Sequence, residues 1–280
     1  MKGSLYPYPH LQERAEQPVT LTDLAKMKSE GRKIASMTAY DASFAALEDR
    51  AGMDVVLVGD SLGMVIQGAD TTVPVTVDEM IYHSRAVAAG LYRPFLIADL
   101  PFLSYATKHQ ALETSRRLMQ EGRAQMVKFE GGEIQAETVE HLSMRGVPVC
   151  GHIGLQPQLI HKLGGFKVQG RNSDAAKEML NDARALEQAG ADLLILECVP
   201  AALGAEITRE VSIPVIGIGA GPDTDGQILV VYDVIGVSAG RTPRFVRNFL
   251  EEGRNVEQAV QAYVEAVRDG SYPSSEHSFG

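Results

Sequence analysis

The feature that most narrows the folds open to this chain is a rhythm. A short apolar run ends on a polar residue, a turn follows, and then comes a stretch with helical spacing. The runs are Lys33–Tyr40, Asp54–Gly59, Pro94–Ala98, Gln125–Phe129, Val147–Gly151, Asp192–Leu196, Ile213–Ile218 and Ile228–Gly236, the last being the least sharply bounded. Runs this short and this rich in Val, Ile and Leu fit strands buried on both faces of a parallel sheet. The spacing between them predicts helices over Ala42–Ala51, Val77–Gly90, Lys108–Glu121, Glu133–Arg145, Ser173–Ala189 and Ala201–Glu210. Closing helices are expected over Pro243–Leu250 and Val256–Asp269. Thr76 and Ser173 stand where N-caps belong, and Gly52, Gly90, Gly122, Gly146 and Gly190 where C′ glycines belong. Eight strands alternating with helices predict an α/β chain folded as one (β/α)8 TIM barrel over residues 19–280, with residues 1–18 a loosely held arm. A doubly wound open sheet is the alternative. There is no sequence repeat of 20–50 residues and no low-complexity linker to argue for two domains.

Charge and cysteine usage exclude several function classes. The 280 residues carry 26 basic and 36 acidic side chains, a net charge of −10, and the basic ones are scattered. Nucleic acid or an anionic membrane as main partner would call for clustered Lys and Arg. Cys150 and Cys198 sit in or just after apolar runs, as reduced core thiols of a cytoplasmic protein do. The N-terminal stretch lacks the apolar core of a secretory signal, and Glu13 and Glu16 disfavour a transit peptide. No run approaches the ~18 apolar residues of a membrane span.

In a barrel of this kind the active site lies at the C-terminal ends of the strands. That rule selects Asp41, Asp60, Asp99, Glu130, His152 and Glu197, each of which ends an apolar run. Carboxylates converging on one mouth repel one another unless a cation is shared among them. Oxygen-only ligation points to a hard divalent ion, Mg²⁺ before Mn²⁺. The competing reading is that strand-end carboxylates cap the helices that follow. It fits Glu130 and Glu197 less well, because Gly-Gly and Cys-Val-Pro follow them. Lys128 stands two residues before Glu130, so strand alternation turns both side chains the same way. It could anchor an anionic substrate, form a Schiff base or simply pair with a carboxylate. His152 could orient Glu197, move a proton or serve only as a packing residue.

Three further motifs carry weaker signals. Gly59-Asp-Ser-Leu-Gly63 has the spacing of a hydrolase nucleophile elbow, but it follows only the second strand and sets Asp60 against the serine. Gly217-Ile-Gly-Ala-Gly221 is no dinucleotide fingerprint, since Pro222 follows; it is an anion site or a tight turn. Gly164–Gly170 lies in a long connection after the fifth strand, as a lid or as an inert loop.

Ordered blocks along the chain resemble the ketopantoate hydroxymethyltransferase family. They are Thr38–Asp41, Val58–Met64, Ala98–Phe102, Met126–Gly132, Cys150–Leu155, Gly165–Arg171, Leu196–Pro200, Ile216–Gly221, Thr224–Leu229 and the tail from Tyr272 to Phe279. The resemblance runs from about residue 20 to the C-terminus, and departs in the N-terminal arm and at Pro222-Asp223. It implies a barrel enzyme of pantothenate biosynthesis. Such an enzyme moves a hydroxymethyl group from 5,10-methylenetetrahydrofolate to the 2-oxo acid 3-methyl-2-oxobutanoate, giving 2-dehydropantoate through a Mg-stabilised enolate. Position by position, it implies Asp60, Asp99 and Glu130 around Mg²⁺; Asp60, Ser61, Asp99 and Lys128 against the oxo acid; and Glu197 as catalytic base. It also implies self-association, commonly as a homodecamer. Other oxo-acid barrels, the phosphoenolpyruvate mutases and isocitrate-lyase-like enzymes, share the metal–enolate chemistry, but their nucleophilic cysteine loop is missing here. A non-catalytic scaffold or sensor is the reading from a different class. It leaves the buried charges Lys128, Glu130 and Glu197 without a purpose.

Overall fold

Thr20 starts the first helix. Its hydroxyl accepts the Asp23 N–H at 3.2 Å while the Asp23 carboxylate accepts the Thr20 N–H at 2.9 Å, a reciprocal capping box. The computed structural model describes residues 17–237, 242–251 and 255–280. It runs α1 (Leu21–Ser29), β1 (Ile34–Thr38), α2 (Ala42–Arg50), β2 (Val55–Val58), α3 (Leu62–Val65), α4 (Val77–Gly90), β3 (Phe95–Asp99) and α5 (Lys108–Gln120). It continues through β4 (Met126–Glu130), α6 (Ala136–Ser143), β5 (Val149–Gly154), α7 (Ile160–Leu163), α8 (Ser173–Gln188), β6 (Leu193–Glu197) and α9 (Ala201–Glu210). The last elements are β7 (Val215–Ile218), β8 (Gly226–Leu229), α10 (Val231–Val234) and α11 (Val256–Asp269). The strands pair in chain order, all parallel, and β8 returns to β1 to close the barrel. This is the (β/α)8 TIM barrel that the rhythm of runs predicts.

Two apolar cores follow from the alternation of strand side chains. Outward residues such as Met37, Val56, Leu96, Val127 and Leu194 pack under the helices in a continuous ring. Inward residues, among them Ile34, Val55, Phe95, Met126, Cys150, Leu193 and Ile216, fill the barrel. Val19, Leu24 and Met27 belong to this inner cluster, so α1 lies across the N-terminal ends of the strands and plugs them. Lys28 clamps it there, its ammonium 2.8 Å from Asp225 and 2.9 Å from the carbonyls of Thr208 and Ile213.

Several boundaries differ from the sequence expectation, each for a physical reason. The eighth strand is Gly226–Leu229, not Ile228–Gly236. It begins at Gly226, where an added Cβ would lie 2.4 Å from the Ile34 carbonyl oxygen. The apolar run continues past it because Val231 and Val234 of α10 are also buried. Pro243–Leu250 forms no helix: the Phe249 N–H goes to the Val234 carbonyl at 2.8 Å, and Phe245 and Phe249 pin an irregular strap to the core. Asn172, not Ser173, caps α8, accepting the Ala175 N–H at 2.8 Å. The helix expected from Glu133 starts as a tight 3-10 turn, Glu133–Gln135, before α6. Gly90 is the last residue of α4 rather than a left-handed cap, and α2 approaches so closely that a Cβ there would lie 2.2 Å from the Ala42 carbonyl oxygen. Of the expected arm, residues 1–16 lie outside the described residues.

Candidate active site

Along each inward-facing row, apolar side chains give way to charged ones toward the C-terminal mouth. On β3 the row ends in Asp99, on β4 in Lys128 and then Glu130, on β5 in His152, and on β6 in Glu197. Parallel register sets Asp99 beside Lys128 and Glu130 beside His152. Asp60 and Ser61 join them from the turn after β2. All seven side chains line one cleft of about 1360 Å³, whose outer wall mixes apolar side chains such as Met64, Phe166, Phe245 and Phe279 with the charged Asp70, Lys167, Asp233 and Arg244.

Burial and crowding decide the electrostatics. Asp60, Asp99, Lys128, Glu130 and His152 are all buried, and Glu197 keeps 15% of its side chain exposed. The Lys128 ammonium lies 2.5 Å from Asp99 Oδ1, and Asp99 Oδ2 accepts the Asp60 N–H at 3.1 Å. Three carboxylates thus share one buried cation. Burial, then the Asp99 charge, push Asp60 up to about 7 against the pull of Lys128. Burial, then Asp60, push Glu130 well above the usual carboxylate range. Burial also pushes Glu197 up to about 7. For Lys128, burial pulls the other way, but Asp99, Asp60 and Glu130 outweigh it and hold the ammonium charged.

His152 stands between two acids, Nε2 at 3.2 Å from Glu197 and Nδ1 at 3.7 Å from Glu130. Neither nitrogen makes a well-aligned hydrogen bond among the described residues. Burial and then Lys128 hold the ring neutral, well below its ordinary titration range. The backbone under Glu197 is held tightly. Its carbonyl accepts the Leu155 N–H at 2.8 Å, and at Gly154 (φ +91°) a Cβ would lie 2.2 Å from that carbonyl oxygen. The next residue, Cys198, takes a φ of +50°, which side chains rarely adopt outside functional turns.

Asp41 is separate. Its carboxylate accepts the Ser43 and Phe44 N–H groups at 2.8 and 3.0 Å, so this strand-end acid is a helix cap. Ser61 hydrogen-bonds the Tyr40 hydroxyl at 2.8 Å and, among the described residues, no histidine, so the nucleophile-elbow pattern has no hydrolase partner there. The segment Gly217–Gly221 comes so close to Phe245 and Phe279 at Gly219 (φ +63°) that a Cβ there would lie 2.8 Å from Phe245. Phe166, Lys167 and Val168 set the Gly164–Gly170 connection at the edge of the cleft. Both cysteines are free and buried, and burial raises each thiol above its ordinary value. Sequence reasoning missed Gln158, Tyr105, Tyr40 and Phe279; Tyr40 and Phe279 fall in blocks that had drawn attention, but neither was singled out.

The fold alone does not separate the possible chemistries. Solved structures that share it include a 2,3-dimethylmalate lyase of the PEP mutase/isocitrate lyase superfamily, with TM-score 0.56 and 16% identity, covering 76% of this chain and 81% of that one. A phosphonopyruvate hydrolase matches with TM-score 0.60 and 15% identity over 92% of each chain. The sequence does separate them, because residues 18–275 match the family model described as ketopantoate hydroxymethyltransferase. The chain belongs to the ketopantoate hydroxymethyltransferase family. A 3-methyl-2-oxobutanoate hydroxymethyltransferase from Alkalilimnicola ehrlichii is 59% identical over 95% of this chain and 96% of its own. One from Shewanella amazonensis is 58% identical over 93% of this chain and 98% of its own. Membership makes this chain a transferase and the cleft at the strand ends its candidate active site. Among the described residues, no helix is long and apolar enough to cross a membrane.

Proposed function

We propose that this chain transfers a hydroxymethyl group from 5,10-methylenetetrahydrofolate to 3-methyl-2-oxobutanoate, giving 2-dehydropantoate for pantothenate biosynthesis, through an enolate. The observation that carries the reading is the convergence of a buried ammonium, three buried carboxylates and the partly exposed acid Glu197 on one cleft.

Mg²⁺ fits the donor chemistry. Among the described residues, no three His, Cys, Asp or Glu side chains make a ready-made ion cage. Mg²⁺ does not need one, since it is commonly held by one or two carboxylates, with water and substrate oxygens completing the octahedron. Burial first, and their mutual repulsion second, raise the titration of Asp60 and Glu130, so one Lys128 does not suffice to keep all three acids ionised and a divalent ion would. These three residues would hold the ion, which supplies Lewis-acid stabilisation of the charge that develops on the keto oxygen.

The chain's own residues account for the rest. Lys128 faces the carboxylate of the oxo acid, with the Ser61 hydroxyl as a further donor. Glu197 takes the C3 proton, and the electron pair forms the enolate double bond. A carboxyl titrating near neutrality is a stronger base than an ordinary one and is still substantially ionised. Water cleaves both C–N bonds of the folate methylene, leaving its oxygen on the one-carbon unit as a formaldehyde-level carbonyl and a proton on each nitrogen. The enolate carbon then bonds to that carbon, and the new alkoxide takes the proton held by Glu197. The neutral His152 ring leaves the Glu197 charge uncompensated, which preserves its basicity.

The test is proton exchange at C3 of 3-methyl-2-oxobutanoate in deuterated water, followed by NMR with Mg²⁺ and without folate. Exchange together with folate-dependent formation of 2-dehydropantoate is expected. Exchange with no folate-dependent product would shift the reading to another oxo-acid enzyme, and no exchange at all would remove the enolate.

A further inference from the structure

Gln158 joins the loops after four successive strands. It sits in the 3-10 turn Pro157–Leu159 after β5, where Pro157 fixes the backbone, and only 3% of it is exposed. Its amide Nε2 donates to the Leu100 carbonyl beyond β3 at 3.0 Å and to Asp60 Oδ2 beyond β2 at 2.8 Å. Its amide oxygen accepts the Tyr105 hydroxyl at 2.6 Å. Its backbone N–H donates to Glu130 Oε2 at the end of β4, at 3.1 Å.

The orientation of this amide is forced. A backbone carbonyl only accepts, so the group facing Leu100 must be the NH₂, and its second proton then points at Asp60. Flipping the amide would set acceptor against acceptor at both Leu100 and Asp60, and would waste the proton that Tyr105 donates. Tyr105 is itself held by its ring contact with Phe129, with centroids 5.2 Å apart. One residue thus fixes an oxygen of each of two carboxylates that come from different strands. With one oxygen held, the rotation of each carboxylate is set, and so is the direction of its other oxygen.

We propose that Gln158, locked by Tyr105, is the positioning residue that pre-sets Asp60 and Glu130 for a divalent cation. This rests on the cation reading given above. A group that orients ligands without touching the ion ordinarily governs affinity by about 10–100-fold. Gln158 does so for Asp60 through its side chain and for Glu130 through its backbone N–H, and without the side chain Asp60 must be ordered when the ion arrives.

The probe is Mn²⁺ alone, titrated into the intact chain with no substrate and read by the loss of its free EPR signal. Gln158→Met keeps the volume and the backbone N–H to Glu130 but removes every side-chain hydrogen bond, so Asp60 and the Tyr105 lock are released. It is expected to bind Mn²⁺ about 10–100-fold more weakly than the parent. At saturating Mn²⁺, kcat should recover to near the parent value, with the loss confined to the metal requirement. Tyr105→Phe leaves Gln158 in place but frees its amide, for an expected weakening of about two- to tenfold. Should Gln158→Met fail to fold, Tyr105→Phe decides. Parent-like Mn²⁺ affinity in folded variants would reduce Gln158 to a packing residue and overturn the proposal. A parent that binds no Mn²⁺ would bring down the cation reading and this inference with it.

Discussion

The two ends of the barrel handle buried charge in opposite ways. At the N-terminal end Asp54, only 1% exposed, is fully answered: Arg93 lies at 2.8 Å, Arg268 at 3.4 Å, and the Ala35 N–H donates at 3.0 Å. Below the strands, α1 seals the interior with Leu24 and Met27. At the C-terminal end three buried carboxylates share Lys128, His152 has no aligned partner among the described residues, and the cleft is open. At the closed end the buried charge has its partners within the chain. The open end buries more carboxyls than its one lysine can keep ionised, and such groups stay protonated and costly unless a ligand completes them. The contrast teaches where function sits without appeal to any relative.

Substitutions can break or sharpen this contrast. The largest expected effect is at the mouth. Glu197→Gln should lower C3 exchange by about 10²–10⁴-fold, the usual contribution of a general base, with the thermal midpoint and Mn²⁺ binding held. In the parent, exchange should rise with pH through about 7, as Glu197 loses its proton, and then level off. That step should vanish in Glu197→Gln. Parent-like exchange in this variant would take the role of base away from Glu197.

At the closed end the pattern should reverse. Leu24→Ala leaves a cavity under the strands and is expected to cost about 2–5 kcal/mol in denaturant unfolding. Exchange per folded molecule should stay within about twofold of the parent, because the plug and the cleft are at opposite ends. A loss of exchange matching the loss of stability would show that the ends are coupled.

The smallest expected effect is a change of slope. Glu48, buried on α2 with neither oxygen hydrogen-bonded among the described residues, is pushed well above its ordinary 4.5 by burial and then by Asp41. The folded chain therefore binds this proton more tightly than the unfolded one. Stability is full below about 4.5 and falls as pH rises through the window up to the folded value. Glu48→Gln should flatten that fall and raise the thermal midpoint at the alkaline end. An unchanged slope would mean that Glu48 finds a partner in solution.

Much of the mouth was legible because two simple periodicities suffice to place it. An apolar run ending on a polar residue marks a strand end, and spacing by two turns Lys128 and Glu130 to one side. The same rule over-reached at Asp41, whose side chain caps α2, because run-ending acids serve both purposes. Helix α1 carried a readable signal, Thr20 and Asp23 at capping-box spacing with apolar residues at 21, 24 and 27, but its destination across the barrel floor is a long-range fact. Gln158 carried no signal at all. A glutamine in a loop after proline is ordinary, and its four partners lie 28–98 residues away or across a strand end.

By itself, the sequence determined the number and order of the strands, the side of the barrel on which the chemistry lies, and the family. These depend on local pattern and on ordered blocks, and both are properties of the linear chain. Only the tertiary structure decided which strand-end acids share the cleft, that Lys128 is committed to Asp99, and that Gln158 ties Asp60 to Glu130. Those outcomes depend on barrel closure, which sets distances between residues that the chain keeps far apart. They depend equally on burial, which turns ordinary carboxyls into groups that titrate near neutrality.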